Sequence, residues 1–101
     1  MDAFNLVLFV AGNTARSVLA AAKLRGICES LLPGNFALAI VDVLEDPDAA
    51  ERDKVLVTPT LIKRSPPPVA RILGDLSATA KVVEALGLPP EAIADQGSAR
   101  S

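Results

Sequence analysis

Two nearly continuous apolar runs, Phe4 to Val10 and Phe36 to Leu44, flank one helical stripe, and this spacing constrains the fold more than any other feature. An apolar run without polar alternation reads as a strand buried on both faces, as the inner strands of a parallel sheet are. Between the runs, Asn13 or Thr14 can cap a helix. Its stripe is Ala20, Leu24, Ile27, Cys28 and Leu31, and Pro33-Gly34 ends it. Strand, helix, strand at this length implies a parallel pair joined by a right-handed crossover.

The second half is patterned differently. Asp46 before Pro47 is an N-cap followed by a first helical position, and Asp48 and Glu51 suit the positive end of a short helix ending near Val55. Thr58 to Ile62 and Val69 to Leu73 are short β-type segments. Lys63-Arg64-Ser65 and the prolines Pro66, Pro67 and Pro68 lie between them, so an antiparallel hairpin with an irregular loop is expected. Gly74-Asp75 breaks the second of these strands. Ser77 can cap a last helix through Leu86 that carries Val82, Val83 and Leu86, with Gly87 at its C-terminal cap and Pro89-Pro90 beyond. With 101 residues, half of them hydrophobic, the chain is one α/β domain over residues 1–87, with residues 88–101 expected to be a flexible tail.

The βαβαββα order is thioredoxin-like, and Pro59 stands at the start of the third strand, where that fold places a cis proline. The chemistry of the redox members is missing. Their reactive pair lies between the first strand and first helix, where this chain has Ala11 to Ser17 without sulfur. With no His, imidazole bases, catalytic triads and His-based zinc sites are excluded. The single Cys28 excludes an internal disulfide and suits an intracellular chain, as a small buried hydrophobe on the helical stripe. No catalytic residue, cofactor or metal site is expected. The turn Gly12-Asn13-Thr14 reads as a chain reversal and cap more readily than as a phosphate cradle.

Charge is segregated. From Asp42 to Asp53 six acids face Arg52 alone, whereas Lys54 to Arg71 holds four bases, Lys54, Lys63, Arg64 and Arg71, and no acid. Such a dipole favours docking to a complementary protein surface. Nucleic acid is not an expected partner, since the chain has few cations and neither Tyr nor Trp for stacking. The run Leu6 to Val10 is too short for a signal peptide core or a membrane span, so a cytoplasmic protein without membrane association is expected.

The residues resemble the KaiB family of circadian clock proteins. The match is carried by Phe9-Val10-Ala11-Gly12-Asn13-Thr14, then by Asp42-Val43-Leu44, Pro47, Ala50-Glu51, Asp53-Lys54, Thr58-Pro59-Thr60-Leu61, Lys63 and Pro66-Pro67-Pro68, and finally by Arg71 to Ser77. It spans nearly all of the chain before the tail.

The resemblance implies a non-enzymatic protein that binds a KaiC-type ATPase and modulates its phosphorylation state, with Lys54, Lys63, Arg64 and Arg71 as partner-binding residues. It also implies two folds for one sequence, a tetrameric ground state with a rearranged C-terminal half and a thioredoxin-like monomer competent to bind, and so a homo-oligomer, tetramer or dimer, exchanging with monomer. Pro59, Pro66, Pro67, Pro68, Gly74, Asp75 and Ala85 are then the expected switch residues. X-Pro bonds prefer trans by only about 0.5–1 kcal/mol and isomerise slowly, which suits a slow change of fold. Ala85 replaces a glycine of cyanobacterial members and favours the helix.

Capture of KaiA, also implied, loses support. Ala70 replaces one of two adjacent arginines and Ala39 a lysine of the second strand. A thioredoxin-like oxidoreductase, lacking the cysteines, is the weaker rival. An adaptor or sensory domain similar to the N-terminal domain of the clock-output histidine kinase is the alternative, although a chain ending at Ser101 is expected to lack the kinase.

Overall fold

The computed structural model describes residues 3–74 and 79–88. The elements are β1 (Phe4–Val10), α1 (Ala15–Leu31), β2 (Phe36–Asp42), α2 (Pro47–Arg52), β3 (Thr60–Ser65), β4 (Ala70–Leu73) and α3 (Thr79–Ala85). The strands form one sheet in the order β2-β1-β3-β4. β1 is parallel to β2, and antiparallel pairs join β1 to β3 and β3 to β4. Of the two arrangements the sequence allows, this is the thioredoxin-like one.

Period-two alternation divides the core. Leu6, Leu8 and Val10 turn to one face, with Leu61, and pack against Leu24, Ile27 and Cys28 of α1 and Val82 of α3. Phe9 turns to the other face and packs with Ile62 against Ala49 of α2. α1 forms where expected: Thr14 is its N-cap, the Thr14 Oγ1 accepting from the Ser17 N–H at 3.1 Å, and its buried positions include Ala20, Leu24, Ile27 and Cys28. Leu24 and Cys28 are wholly inaccessible. Burial of a side chain such as Leu24 stabilises the fold by about 1.5–3 kcal/mol.

Several boundaries differ from the sequence reading, with β3 starting at Thr60 rather than Thr58 and β4 at Ala70 rather than Val69. β2 stops at Asp42 rather than Leu44, because the Asp42 carboxylate turns back to accept from the N–H of Leu44 and of Gly12, both at 2.9 Å. This fixes the turn after β1, where Gly12 takes φ +76°, and it occupies the N–H an anion would need. α2 stops at Arg52 rather than near Val55, as Lys54 turns left-handed at φ 53°.

The largest correction concerns Lys63-Arg64-Ser65, expected in the hairpin loop. They are strand residues: Lys63 lies opposite both Leu6 and Ala70, and Ser65 opposite Asn5. The bend is left to the prolines. Thr58–Pro59, Ser65–Pro66 and Pro67–Pro68 are cis.

α3 ends in a Schellman motif. Gly87, at φ +79°, donates to the Glu84 carbonyl at 2.9 Å, and Leu88 donates to that of Val83 at 3.1 Å. Ala85 is thus the last helical residue and not an interior one, so less of the alanine preference acts there. The expected cap Ser77 and switch residue Asp75 lie outside the described residues, as does nearly all of the expected tail.

Candidate functional site

The charged residues after α2 do not simply face solvent. Two strands send arginines under the end of that helix. The guanidinium of Arg64, on β3, meets the Asp53 carboxylate in a two-pronged pair, with Nη1 to Oδ1 at 3.1 Å and Nη2 to Oδ2 at 2.7 Å. Arg71, on β4, donates from Nη2 to the Asp53 carbonyl at 2.7 Å and from Nη1 to the Lys54 carbonyl at 3.3 Å. Both arginines therefore reach the negative end of the α2 dipole and tie the helix to the sheet. The hydrogen bond from Arg64 holds the Asp53 carboxyl below the usual carboxylate range, and the same bond holds Arg64 above its own usual value.

Three of the four expected partner-binding residues, Lys54, Arg64 and Arg71, are thus gathered at one exposed surface. The left-handed turn aims the chain at Lys54 away from the helix. Arg52 stands next to them, and one carboxylate, Asp53, offsets part of the charge.

Lys63 is not among them. It alternates with Arg64 along β3, so it points to the opposite face with Leu61, and only 3% of it is exposed. Its Nζ lies 3.6 Å from where a Cβ on Gly87 would stand, beside the carbonyl end of α3. In this fold Lys63 is an internal cation whose stem completes the core, and a direct docking role is corrected accordingly.

Beside the cluster, between β4 and α3, runs a shallow groove of about 430 Å³ lined by Arg71, Leu73, Lys81, Glu84 and Ala85 among others, so that it carries one carboxylate beside its two cations. Leu73 is 59% exposed. Sequence reasoning missed Lys81, since the approach of α3 to β4 brings it to Arg71 and no local spacing announces it; it also missed Leu73, which strand alternation places on the same face as Arg71. The groove does hold one expected switch residue, Ala85. Two others meet across the hairpin: the Gly74 N–H donates to the Pro59 carbonyl at 2.8 Å, with Gly74 at φ +82°. Pro66, Pro67 and Pro68 occupy the opposite end of the β3–β4 hairpin.

Chemically the surface offers cationic donors for carboxylate or phosphate groups. Among the described residues no cluster of three or more metal-ligating side chains occurs, and no helix is long and apolar enough to cross a membrane. Cys28 is buried, and desolvation pushes its thiol up to about 11, so it is a poor nucleophile at neutral pH.

Comparison with known proteins gives a consistent picture. The model of the KaiB domain matches residues 7–88. The circadian clock oscillator protein KaiB of Thermosynechococcus vestitus is 53% identical over 91 residues, which are 90% of this chain and 84% of that protein. The circadian clock protein KaiB3 of Synechocystis sp. is 45% identical over 93 residues, 92% of this chain and 91% of that one. Among solved structures, chloroplastic thioredoxin z superimposes with a TM-score of 0.70 at 26% identity, covering 85% of this chain and 77% of the other. The N-terminal domain of SasA from Synechococcus elongatus does so with a TM-score of 0.62 at 19% identity, covering 94% and 87%.

Proposed function

The chain belongs to the KaiB family of clock proteins, and from that premise we propose that it is a non-catalytic partner protein that docks on a KaiC-type ATPase and modulates its phosphorylation state. The observation that carries the reading is the clasp at the end of α2. Arg64 and Arg71, bonded to Asp53 and Lys54, hold a cationic surface in one geometry, and a preformed surface binds without first losing side-chain freedom. The groove beside it adds Leu73 as an apolar contact. The reading stops at the ATPase: Ala39 and Ala70 supply no cation for capture of KaiA. The protein works in the cytoplasm.

Exposed charges act mainly on encounter and register and are screened beyond about 8 Å at physiological salt. The test is binding of the full chain to the purified KaiC-type ATPase of the same organism across nucleotide states and salt concentrations. Lys54→Glu, at a position whose side chain makes no hydrogen bond or ion pair among the described residues, is expected to weaken binding and flatten its salt dependence. Unchanged affinity and salt dependence would place docking elsewhere.

The expected exchange of folds is part of the proposal. In it the thioredoxin-like monomer is the docking form and a tetramer or dimer with a rearranged C-terminal half is the resting one. Mass action then makes the balance depend on concentration. NMR secondary shifts over α3 through a dilution series, joined to sedimentation, read both properties. The likeness in fold to the SasA N-terminal domain supports a second reading, an adaptor that keeps this fold throughout. A helical α3 at every concentration would favour the second.

A further inference from the structure

α2 and α3 end by the same motif on different residues. In α3 the turn falls on Gly87. In α2 the Lys54 N–H donates to the Glu51 carbonyl at 3.1 Å and the Val55 N–H to the Ala50 carbonyl at 2.8 Å, the same pair of bonds at the same offsets, and the turn falls on Lys54 at φ 53°. Among the described residues Lys54 alone takes a positive φ without being glycine. A left-handed backbone sets Cβ against the following carbonyl oxygen, a cost that glycine does not carry. Lysine also lacks the short polar side chain with which asparagine or aspartate offsets that cost by bonding locally.

Arg71 holds this turn. The two planar peptide units that flank the Lys54 Cα fix its φ and ψ. The guanidinium takes the carbonyl of each, Nη2 donating to that of Asp53 at 2.7 Å and Nη1 to that of Lys54 at 3.3 Å. Their N–H groups are the two already bonded back into α2. Both peptide units are thus held on both sides. The side chain that leaves between them is exposed and makes no hydrogen bond or ion pair among the described residues.

We infer that Lys54 is kept in this conformation, against the preference of its backbone, to present a fixed ammonium to an acidic group of the docking partner, and that Arg71 is a positioning residue acting through Lys54. The inference rests on the docking reading above and divides its cations into two roles. Local strain is retained where the surroundings over-determine it, and here the four bonds to the flanking peptides do so. A planar fork spans two carbonyls, which the compact ammonium of a lysine at 71 would not. A cation whose point of departure is fixed gives up less freedom on binding.

The experiment pairs urea unfolding of the full chain with its binding to the purified KaiC-type ATPase. Lys54→Ala and Lys54→Gly both remove the ammonium, and only the alanine keeps a Cβ. The glycine variant is expected to unfold at a urea midpoint a few tenths of a molar above the alanine variant. Both are expected to bind about two- to five-fold more weakly than wild type. Arg71→Lys keeps the charge and loses the fork. Corrected for the folded fraction, it is expected to weaken binding by a similar factor in the wild-type background and to change it no further in Lys54→Gly, where no ammonium is left to position. A glycine midpoint at or below that of alanine would overturn the strained turn. Arg71→Lys that binds as wild type does, or that weakens binding equally in both backgrounds, would refute the positioning role while leaving the docking reading in place. Unchanged affinity in both Lys54 variants would remove the docking reading, and this role for Lys54 with it, whatever the midpoints show.

Discussion

Replacing Lys63 by Met removes a charge and keeps an unbranched stem of similar length, which makes it the cleanest probe of the cation beside α3. The side chain is 3% exposed and its Nζ lies beside Gly87, at the end of α3 where the carbonyl groups are turned outward. A cation there stabilises a helix by about 0.3–1 kcal/mol, and by up to about 2 when partly buried. The methionine offsets some of that loss by apolar burial. Lys63→Met should therefore lower stability by roughly 1 kcal/mol, equivalent to about 4–8 °C in Tm for a domain of this size. Lys63→Glu should cost more, about 3 kcal/mol or above, because a buried carboxylate would sit against the negative end of the helix without a partner. Urea unfolding followed by circular dichroism measures both. Binding to the ATPase separates structure from docking: corrected for the folded fraction, Lys63→Met should bind as the wild type does. Wild-type stability in Lys63→Glu would refute the placement of this cation, and loss of binding in a fully folded Lys63→Met would return it to the docking surface.

Four further outcomes are expected. Leu24→Ala, at a position with no accessible surface, should cost about 2–5 kcal/mol in urea unfolding, through lost burial and the cavity left behind. Gly87→Ala should cost about 1–2 kcal/mol because φ is +79°, and not through a clash, since the added Cβ meets Lys63 Nζ at an ordinary 3.6 Å; Gly87→Asn should cost less. The Asp53 carboxyl lies below its ordinary value in the folded state, so its contribution is present above about pH 4 and is lost as pH falls through the lowered value. Asp53→Asn should flatten that acid limb by no more than about 1 kcal/mol, because Arg64 is half-exposed. The Cys28 thiol is raised to about 11, so its contribution is whole below the ordinary thiol value and is lost as pH climbs from there toward 11; urea midpoints of wild type and Cys28→Ala should converge over that window.

The sequence by itself determined the elements whose signals are local or periodic. Phe4 to Val10 reads as an inner strand because both its faces are covered, and the spacing of Ala20, Leu24, Ile27 and Cys28 reads as one helical face because 3.6 residues make a turn. Thr14, Asp46 and Gly87 announce their ends because a cap is satisfied by atoms three or four residues away. The candidate surface was half legible. The basic run Lys54 to Arg71 is visible in one dimension, yet its residues divide between two faces of the sheet. Alternation along β3 sends Arg64 to the α2 side and Lys63 to the other, and the charged residues themselves hid the strand by looking like a loop.

Only the tertiary structure decided that Arg64 and Arg71 close on the end of α2, that Lys63 is covered, and that Lys81 shares a groove with Arg71. Each of these depends on which element packs over which face. Packing is fixed by contacts between residues far apart in the chain, and side-chain type and local spacing carry no record of those distances.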